Sequence, residues 1–296
     1  MYDFKKIYVP QSVEEVLETM KEHPKAKILA GGSDVFIQMR AGMLAGIEAI
    51  SIYQLDILRG ISMEEDGTIV ILPLTSFSHI VRNSIVQKHI KVLADAVGKM
   101  GGPQIRNIAT IGGNVCNGHT GADSGATLVA LDAEVELTSV EQKKRIVPIQ
   151  DFYKPTGGVD LREGELLTRF LIPKTAYEGY YGAHYKYAMR NSMDVDVTGC
   201  STNVKLSADK KRIESARIAF GVMGPFPVRA REAEEIVKGK EISEDLIMLF
   251  ADEAVKNLSP RTDYRATADF RTHISHVMAK RTLMDAIIDA GGTIDR

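Results

Sequence analysis

The sequence predicts an α+β fold built from two successive units, and three observations carry that expectation. In the first half, strand-like and helix-like segments mix without a regular βαβ period. A stretch rich in Gly, Pro and Tyr, from Asp151 to Tyr181, then interrupts the pattern. Beyond it two strand-like runs precede three helical ones, the order of a second α+β unit. The division falls at 177/178, giving units of 1–177 and 178–296. The chain's 296 residues, 44% of them hydrophobic, suffice for two cores.

Each element has its local reason. IYVP reads as a short strand, and QSVEEVLETMKEH as a helix. In that helix Ser12 and Glu15 form a capping box, while Val13, Val16, Leu17 and Met20 share one apolar face. KAKILA (25–30) is a strand running into GGSD and then the helical VFIQMR, and AISI (49–52) is a further strand. ISMEEDGTIVIL reads as a hairpin turning at Asp66-Gly67. Residues 75–81 and 89–100 read as helices, residues 127–140 as a short helix or turn followed by a strand, and ELLTRFLIP (165–173) as a closing strand. CSTNVKL (200–206) and SARIAFGVM (215–223) are strands of the second unit. REAEEIVKG, SEDLIMLFADEAVKNL and FRTHISHVMAKRTLMDAIIDAG are its helices, and no repeat or low-complexity tract appears.

Composition excludes several classes of function. A formal net charge of -2 and a pI near 6.4 argue against nucleic acid as the main partner. No run of 18 apolar residues appears, so no membrane span is expected, and MYDFKKIYVP lacks the pattern of a secretory signal. The expected location is cytoplasmic. Two cysteines, Cys116 and Cys200, are too few for a disulfide framework or a four-thiolate iron–sulfur cluster.

Two glycine pairs carry the chemistry: LAGGSDVF (29–36) and TIGGNVCNG (110–118), each read as following a strand. Glycine there turns the chain tightly and lets backbone N–H groups approach an anion without help from cationic side chains. That accounts for TIGGNVCNGHTGADS, where four glycines fall in fifteen positions with no Lys or Arg. Neither segment fits G-x-G-x-x-G or the Walker pattern. Against the reading as a phosphate-bearing ligand site stands the plain one of a tight turn. Cys116, His119 and Asp123 do not make a recognised zinc pattern, so no metal is assigned. Cys116 with His119 as nucleophile and base lacks an orienting group. HYKYAMRNSMDVDVTG (184–199) reads as a strand with solvated basic residues, and the turn in VMGPFPVRARE (222–232) as structural.

Taken together, AGGSD, GPQIRNIATIGGNVCNGHTGADS, KYAMR and AFGVMGPFPVRA make the chain resemble the FAD-binding subunit of the molybdenum hydroxylases, the xanthine dehydrogenase family. The likeness spans nearly the whole chain. It is nearest to the separate flavin subunits of bacterial xanthine and nicotinate dehydrogenases.

The resemblance implies a two-lobed FAD-binding domain of the vanillyl-alcohol-oxidase type followed by a smaller α+β C-terminal domain. It implies non-covalent FAD, held by Leu29, Ala30, Gly31, Gly32, Ser33, Asp34, Val35 and Phe36 together with Thr110, Ile111, Gly112, Gly113 and Asn114. Gly101, Asp123 and Leu167 are implied beside the cofactor, and Lys186 and Tyr187 where the second domain approaches the flavin ring. Molybdopterin and 2Fe–2S clusters are expected only on partner subunits, with NAD(P)+ as the electron acceptor. Two departures stand out. The cysteine-bearing insertion of the benzoyl-CoA reductase branch is absent, and RNSMDVDV replaces a more acidic, lysine-ended segment. The rival readings are a self-contained FAD oxidase or reductase and a non-catalytic nucleotide-binding assembly subunit.

Overall fold

The computed structural model describes residues 3–141 and 143–294, so the outer limits of the two expected units, residues 1 and 296, lie outside the described residues. The chain opens with a small parallel sheet in which Ile47–Ser51 lies between Phe4–Tyr8 and Lys27–Leu29. Helix Val13–Glu22 covers it. Ser12 Oγ accepts the Glu15 N–H at 3.1 Å, and the Glu15 carboxylate accepts the N–H of Gln11 at 2.6 Å, one residue earlier than a regular capping box. Val16 and Leu17 of this helix pack with Ile50, Ile52 and Leu74.

The second lobe is a five-stranded antiparallel sheet in the order Ile61–Met63, Ile69–Ile71, Glu165–Ile172, Glu134–Ser139, Lys144–Pro148. The hairpin turns where the sequence places it. Gly67 donates its N–H to Glu64 and adopts φ +88°, a conformation that a residue with a Cβ adopts at a cost. Strand Glu165–Ile172 closes the lobe by inserting at the sheet centre, and it is buried almost throughout. Helices Phe77–Arg82, Lys91–Gly98 and Gly125–Ala130 contribute Phe77, Ile80, Val97 and Leu128 to the same core as Val135, Leu137 and Phe170. Strand Lys144–Pro148 and the six-residue helices Ser84–His89, Pro103–Ile108 and Ile111–Cys116 were not expected from the sequence. Segments so short show barely one or two periods of a hydrophobic pattern.

The third sheet is antiparallel, ordered Val228–Arg229, Ile213–Gly221, Thr198–Leu206, Tyr180–Tyr187. Helices Arg231–Val237, Glu244–Val255 and Ala268–Asp289 complete this α+β unit. The last of these, 22 residues long, buries Arg271 completely. A buried guanidinium needs partners. Here it donates to the carbonyls of Val197, at 3.0 Å, and Arg261, and to the Asp263 carboxylate at 2.8 Å.

The first-half and second-half units are tightly joined. Helix Gly125–Ala130 packs on strands Thr198–Leu206 and Ile213–Gly221, and helix Lys91–Gly98 on strand Tyr180–Tyr187. Asn203 Nδ2 donates to the carbonyl of Ala130 at 3.1 Å, and Thr120 Oγ1 to that of Gly224 at 2.8 Å. Among the described residues, no helix is long and apolar enough to cross a membrane.

Candidate cofactor cleft

The first glycine motif does follow a strand. After Leu29 the chain turns so closely that a Cβ on Gly31 would lie 2.0 Å from the carbonyl oxygen of Ile108. Gly32 follows at φ +73°. These two positions therefore demand glycine, one for close approach and one for backbone conformation. Among the described residues, no backbone acceptor meets the N–H groups of residues 31–34, and all four residues are half-buried. Such a row of open N–H groups suits an anionic ligand. Helix Val35–Arg40 then begins, with Asp34 accepting from Gln38 and Phe36 edge-on to Phe4 at 6.2 Å.

The second motif departs from expectation. It follows helix Pro103–Ile108 rather than a strand, and its glycines lie inside helix Ile111–Cys116. Thr110, extended and bridged to Ser76, caps that helix by accepting the Gly113 N–H at 3.1 Å. The N–H groups of Ile111 and Gly112 donate to Thr75 and Pro73 carbonyls at 3.1 and 2.8 Å. A Cβ on Gly112 would lie 2.6 Å from the Pro73 side chain. The pair thus seats a short helix against residues 73–76, and its amides are engaged within the protein. The open amides belong to the first motif.

Asn114 ties this helix to the segment beyond it. Its Oδ1 accepts from Ser124 Oγ at 2.6 Å and from the Ser124 N–H at 3.3 Å. Next to Ser124, Asp123 meets Lys186 of the other unit with Oδ1 2.6 Å from Nζ, and Asp196 Oδ1 lies 2.9 Å from the same Nζ. All three side chains are at most 11% exposed. Burial raises Asp123 above the usual carboxylate range, and Lys186 opposes the rise. Burial also disfavours charge on Lys186, yet the two carboxylates overcome this and raise its pKa. Around the group lie Lys99, which donates to the His184 carbonyl at 2.9 Å, and His184 itself. Burial holds the His184 imidazole neutral, its pKa depressed to about 3, with Nδ1 2.7 Å from Ser201 Oγ.

The remaining residues implied by the resemblance are dispersed. Gly101 adopts φ +48°, and its carbonyl accepts from Arg106 at 3.1 Å. Tyr187, on the opposite face of the strand from Lys186, meets Phe270 at 5.7 Å. Leu167 is buried in the sheet core with Ile111 and Val115, opposite Leu137. Cys116, His119 and Asp123 do not converge. Burial pushes the Cys116 thiol up to about 12, His119 Nδ1 accepts from the Gly121 N–H at 3.0 Å, and Asp123 serves Lys186. Among the described residues no cluster of three or more potential metal ligands occurs.

The sequence reading missed Ile108, Asp196 and a cationic loop. Asp196 stands between Val195 and Val197 at the entry to a strand, and a carboxylate in that setting was its one signal. Nothing local marks Ile108, whose role lies in its carbonyl. His119 feels the positive charges of Arg261 and Arg265, which add to the effect of burial in lowering its pKa, while Asp34 opposes them. Both arginines also lie against the Asp263 carboxylate, at 3.7 and 3.9 Å.

Comparison with known proteins gives the family. Residues 2–175 match the FAD binding domain in molybdopterin dehydrogenase, and residues 183–286 the CO dehydrogenase flavoprotein C-terminal domain. The chain is 35% identical over 294 residues to the xanthine dehydrogenase FAD-binding subunit of Escherichia coli O157:H7, covering 99% of this chain and 100% of that one. It is 31% identical over 249 residues, 82% of each chain, to the nicotinate dehydrogenase FAD-subunit of Eubacterium barkeri. A solved carbon monoxide dehydrogenase from Hydrogenophaga pseudoflava, lacking the Mo-pyranopterin moiety of its molybdenum cofactor, superposes with a TM-score of 0.90 at 29% identity, over 97% and 98% of the two chains. The chain belongs to the FAD-binding subunits of the molybdenum hydroxylases, a family of oxidoreductase subunits. Its residues fit the cofactor: open amides and a close glycine turn suit a pyrophosphate.

Proposed function

We propose that the chain is the electron-transfer subunit of a heteromeric molybdenum hydroxylase, passing electrons from iron–sulfur clusters on one partner to NAD(P)+. Substrate is hydroxylated on a second, molybdopterin-bearing partner, and the assembly is cytoplasmic. The observation that carries this reading is the row of open amides at residues 31–34, with Gly31 set against the Ile108 carbonyl. Bound FAD supplies the redox chemistry, and the protein supplies position and electrostatics.

Within the cleft, residues 29–36 hold the pyrophosphate. Thr110–Asn114 form the packed wall behind it, and Gly101, Asp123, Leu167, Lys186 and Tyr187 surround the rest of the cofactor. We assign 1–177 to the FAD-binding domain and 178–296 to the C-terminal domain. The half-buried, weakly acidic Cys116 thiol and the occupied His119 Nδ1 speak against a covalent flavin link and so against a self-contained oxidase.

The test is to add FAD to the purified chain and follow quenching of flavin fluorescence. Stoichiometric uptake, with all yellow colour released to the supernatant on acid precipitation, is expected. A colourless chain that takes up no FAD overturns the assignment, and colour that stays with the precipitate overturns non-covalent binding. Co-purification with a chain carrying two 2Fe–2S clusters and one carrying molybdopterin tests the assembly.

A further inference from the structure

Lys186 carries one positive charge and faces two buried carboxylates. Asp123 comes from the first unit and Asp196 from the second. Asp196 is 4% exposed, and its Oδ1 faces Lys186 at 2.9 Å without a well-directed hydrogen bond from any described residue. Its other oxygen lies over Gly199, where a Cβ would sit 2.8 Å away. The site is therefore built to admit this carboxylate. Two ionised carboxylates with one ammonium would leave an uncompensated buried charge, which is costly, whereas one shared proton restores neutrality.

We propose that Asp196 is a positioning residue for the flavin: through Lys186 it shares one proton with Asp123, and the pair takes up or releases that proton as the charge of the bound cofactor changes. This rests on placing FAD beside Asp123 and Lys186. Burial, then the neighbouring Asp123, raises Asp196 to about 7, so the proton is exchangeable near neutral pH. The groups facing the pair are few. Lys99 and His184 approach from one side, Asp194 from the segment preceding Asp196, and His119 acts on Asp123 from its own loop. Burial disfavours the charge of Lys99 while Asp95 and Asp196 favour it, and His184 is held neutral. Neither meets the carboxylates directly: His184 is neutral, and the Lys99 ammonium is directed at the His184 carbonyl at 2.9 Å. Adding negative charge to the cofactor raises the proton affinity of the pair, and a carboxylate then becomes a carboxylic acid. Electrons come from the one-electron donors of the partner subunit, and the proton from solvent.

The experiment measures the midpoint potential of FAD bound to the full chain from pH 5.5 to 9, in the wild type and in Asp196→Asn, which imitates the protonated acid. The wild type should show a steeper fall of potential with pH above neutrality than the variant, reporting additional proton uptake with reduction. The two should converge at the acid end, where the pair is already protonated. Superimposable pH dependences in two chains that both bind FAD overturn the proposal. Carbon-13 NMR of aspartate carboxyls in the FAD-free wild-type chain gives an independent reading. One resonance titrating near neutral pH and absent from Asp196→Asn is expected. Its absence from the wild type overturns proton sharing whether or not FAD binds. Failure of both chains to bind FAD overturns the cofactor placement, and leaves the NMR result to decide the proton sharing.

Discussion

Gly31 lies against Ile108 so closely that the smallest possible side chain would meet its carbonyl oxygen at 2.0 Å. This contact joins the turn after the second strand of the chain to the end of a helix some seventy-five residues later. Because the obstacle is backbone, relief requires the turn or helix Pro103–Ile108 to shift. Gly31→Ala is expected to weaken FAD binding about tenfold to hundredfold, from the ~1–3 kcal/mol typical of overpacking. Fluorescence titration with FAD measures it, and unchanged affinity would show that the turn is not part of the cradle.

Thr110 begins helix Ile111–Cys116 by accepting the Gly113 N–H. Thr110→Ala should lower stability by about 1 kcal/mol, and Thr110→Ser should retain most of it, since a hydroxyl cap is what the helix needs. Urea unfolding of the three chains is the measurement, and equal losses in both variants would assign the effect to the methyl group.

Two buried groups near Lys186 act on acid stability in opposite directions. His184 has a folded pKa of about 3 against an ordinary 6.5, so the unfolded chain binds more protons between those values. Its contribution is present above pH 6.5 and is lost as the pH falls toward 3. Asp196, raised from 3.8 to about 7, works the other way. Its contribution is present below 3.8 and is lost as the pH rises through 7. Between pH 4 and 6.5 the two largely cancel. Asp196→Asn should unmask the histidine, with stability falling by ~1.4 kcal/mol per pH unit on acidification. His184→Gln should give the reverse slope. Denaturant midpoints across this window decide the matter, and parallel wild-type and variant profiles would contradict it.

Both thiols are pushed to about 12 by burial. Reaction with a disulfide reagent at pH 8 should therefore be on the order of a thousandfold slower in the folded chain than after unfolding in urea. Rapid labelling of Cys116 in the native chain would reopen the possibility of a reactive cysteine beside the cofactor.

What the sequence determined by itself was local or periodic. The α+β class, helix Val13–Glu22 with its Ser12 cap and the hairpin at Gly67 follow from spacings of a few residues. The family was legible in a glycine-rich string with little steric freedom. Even so, the string gave no sign that Gly112 and Gly113 sit within a helix whose first amides, those of Ile111, Gly112 and Gly113, are engaged by Thr75, Pro73 and Thr110, distant or easily overlooked partners. Only the tertiary structure decided that the open amides belong to residues 31–34, that Ile108 supplies the wall they press on, and that Asp196 joins Asp123 on one lysine. Each of these rests on burial and on contacts across the chain. A side chain's charge state and a glycine's necessity depend on what lies a few ångströms away in space, and spacing along the sequence does not encode that.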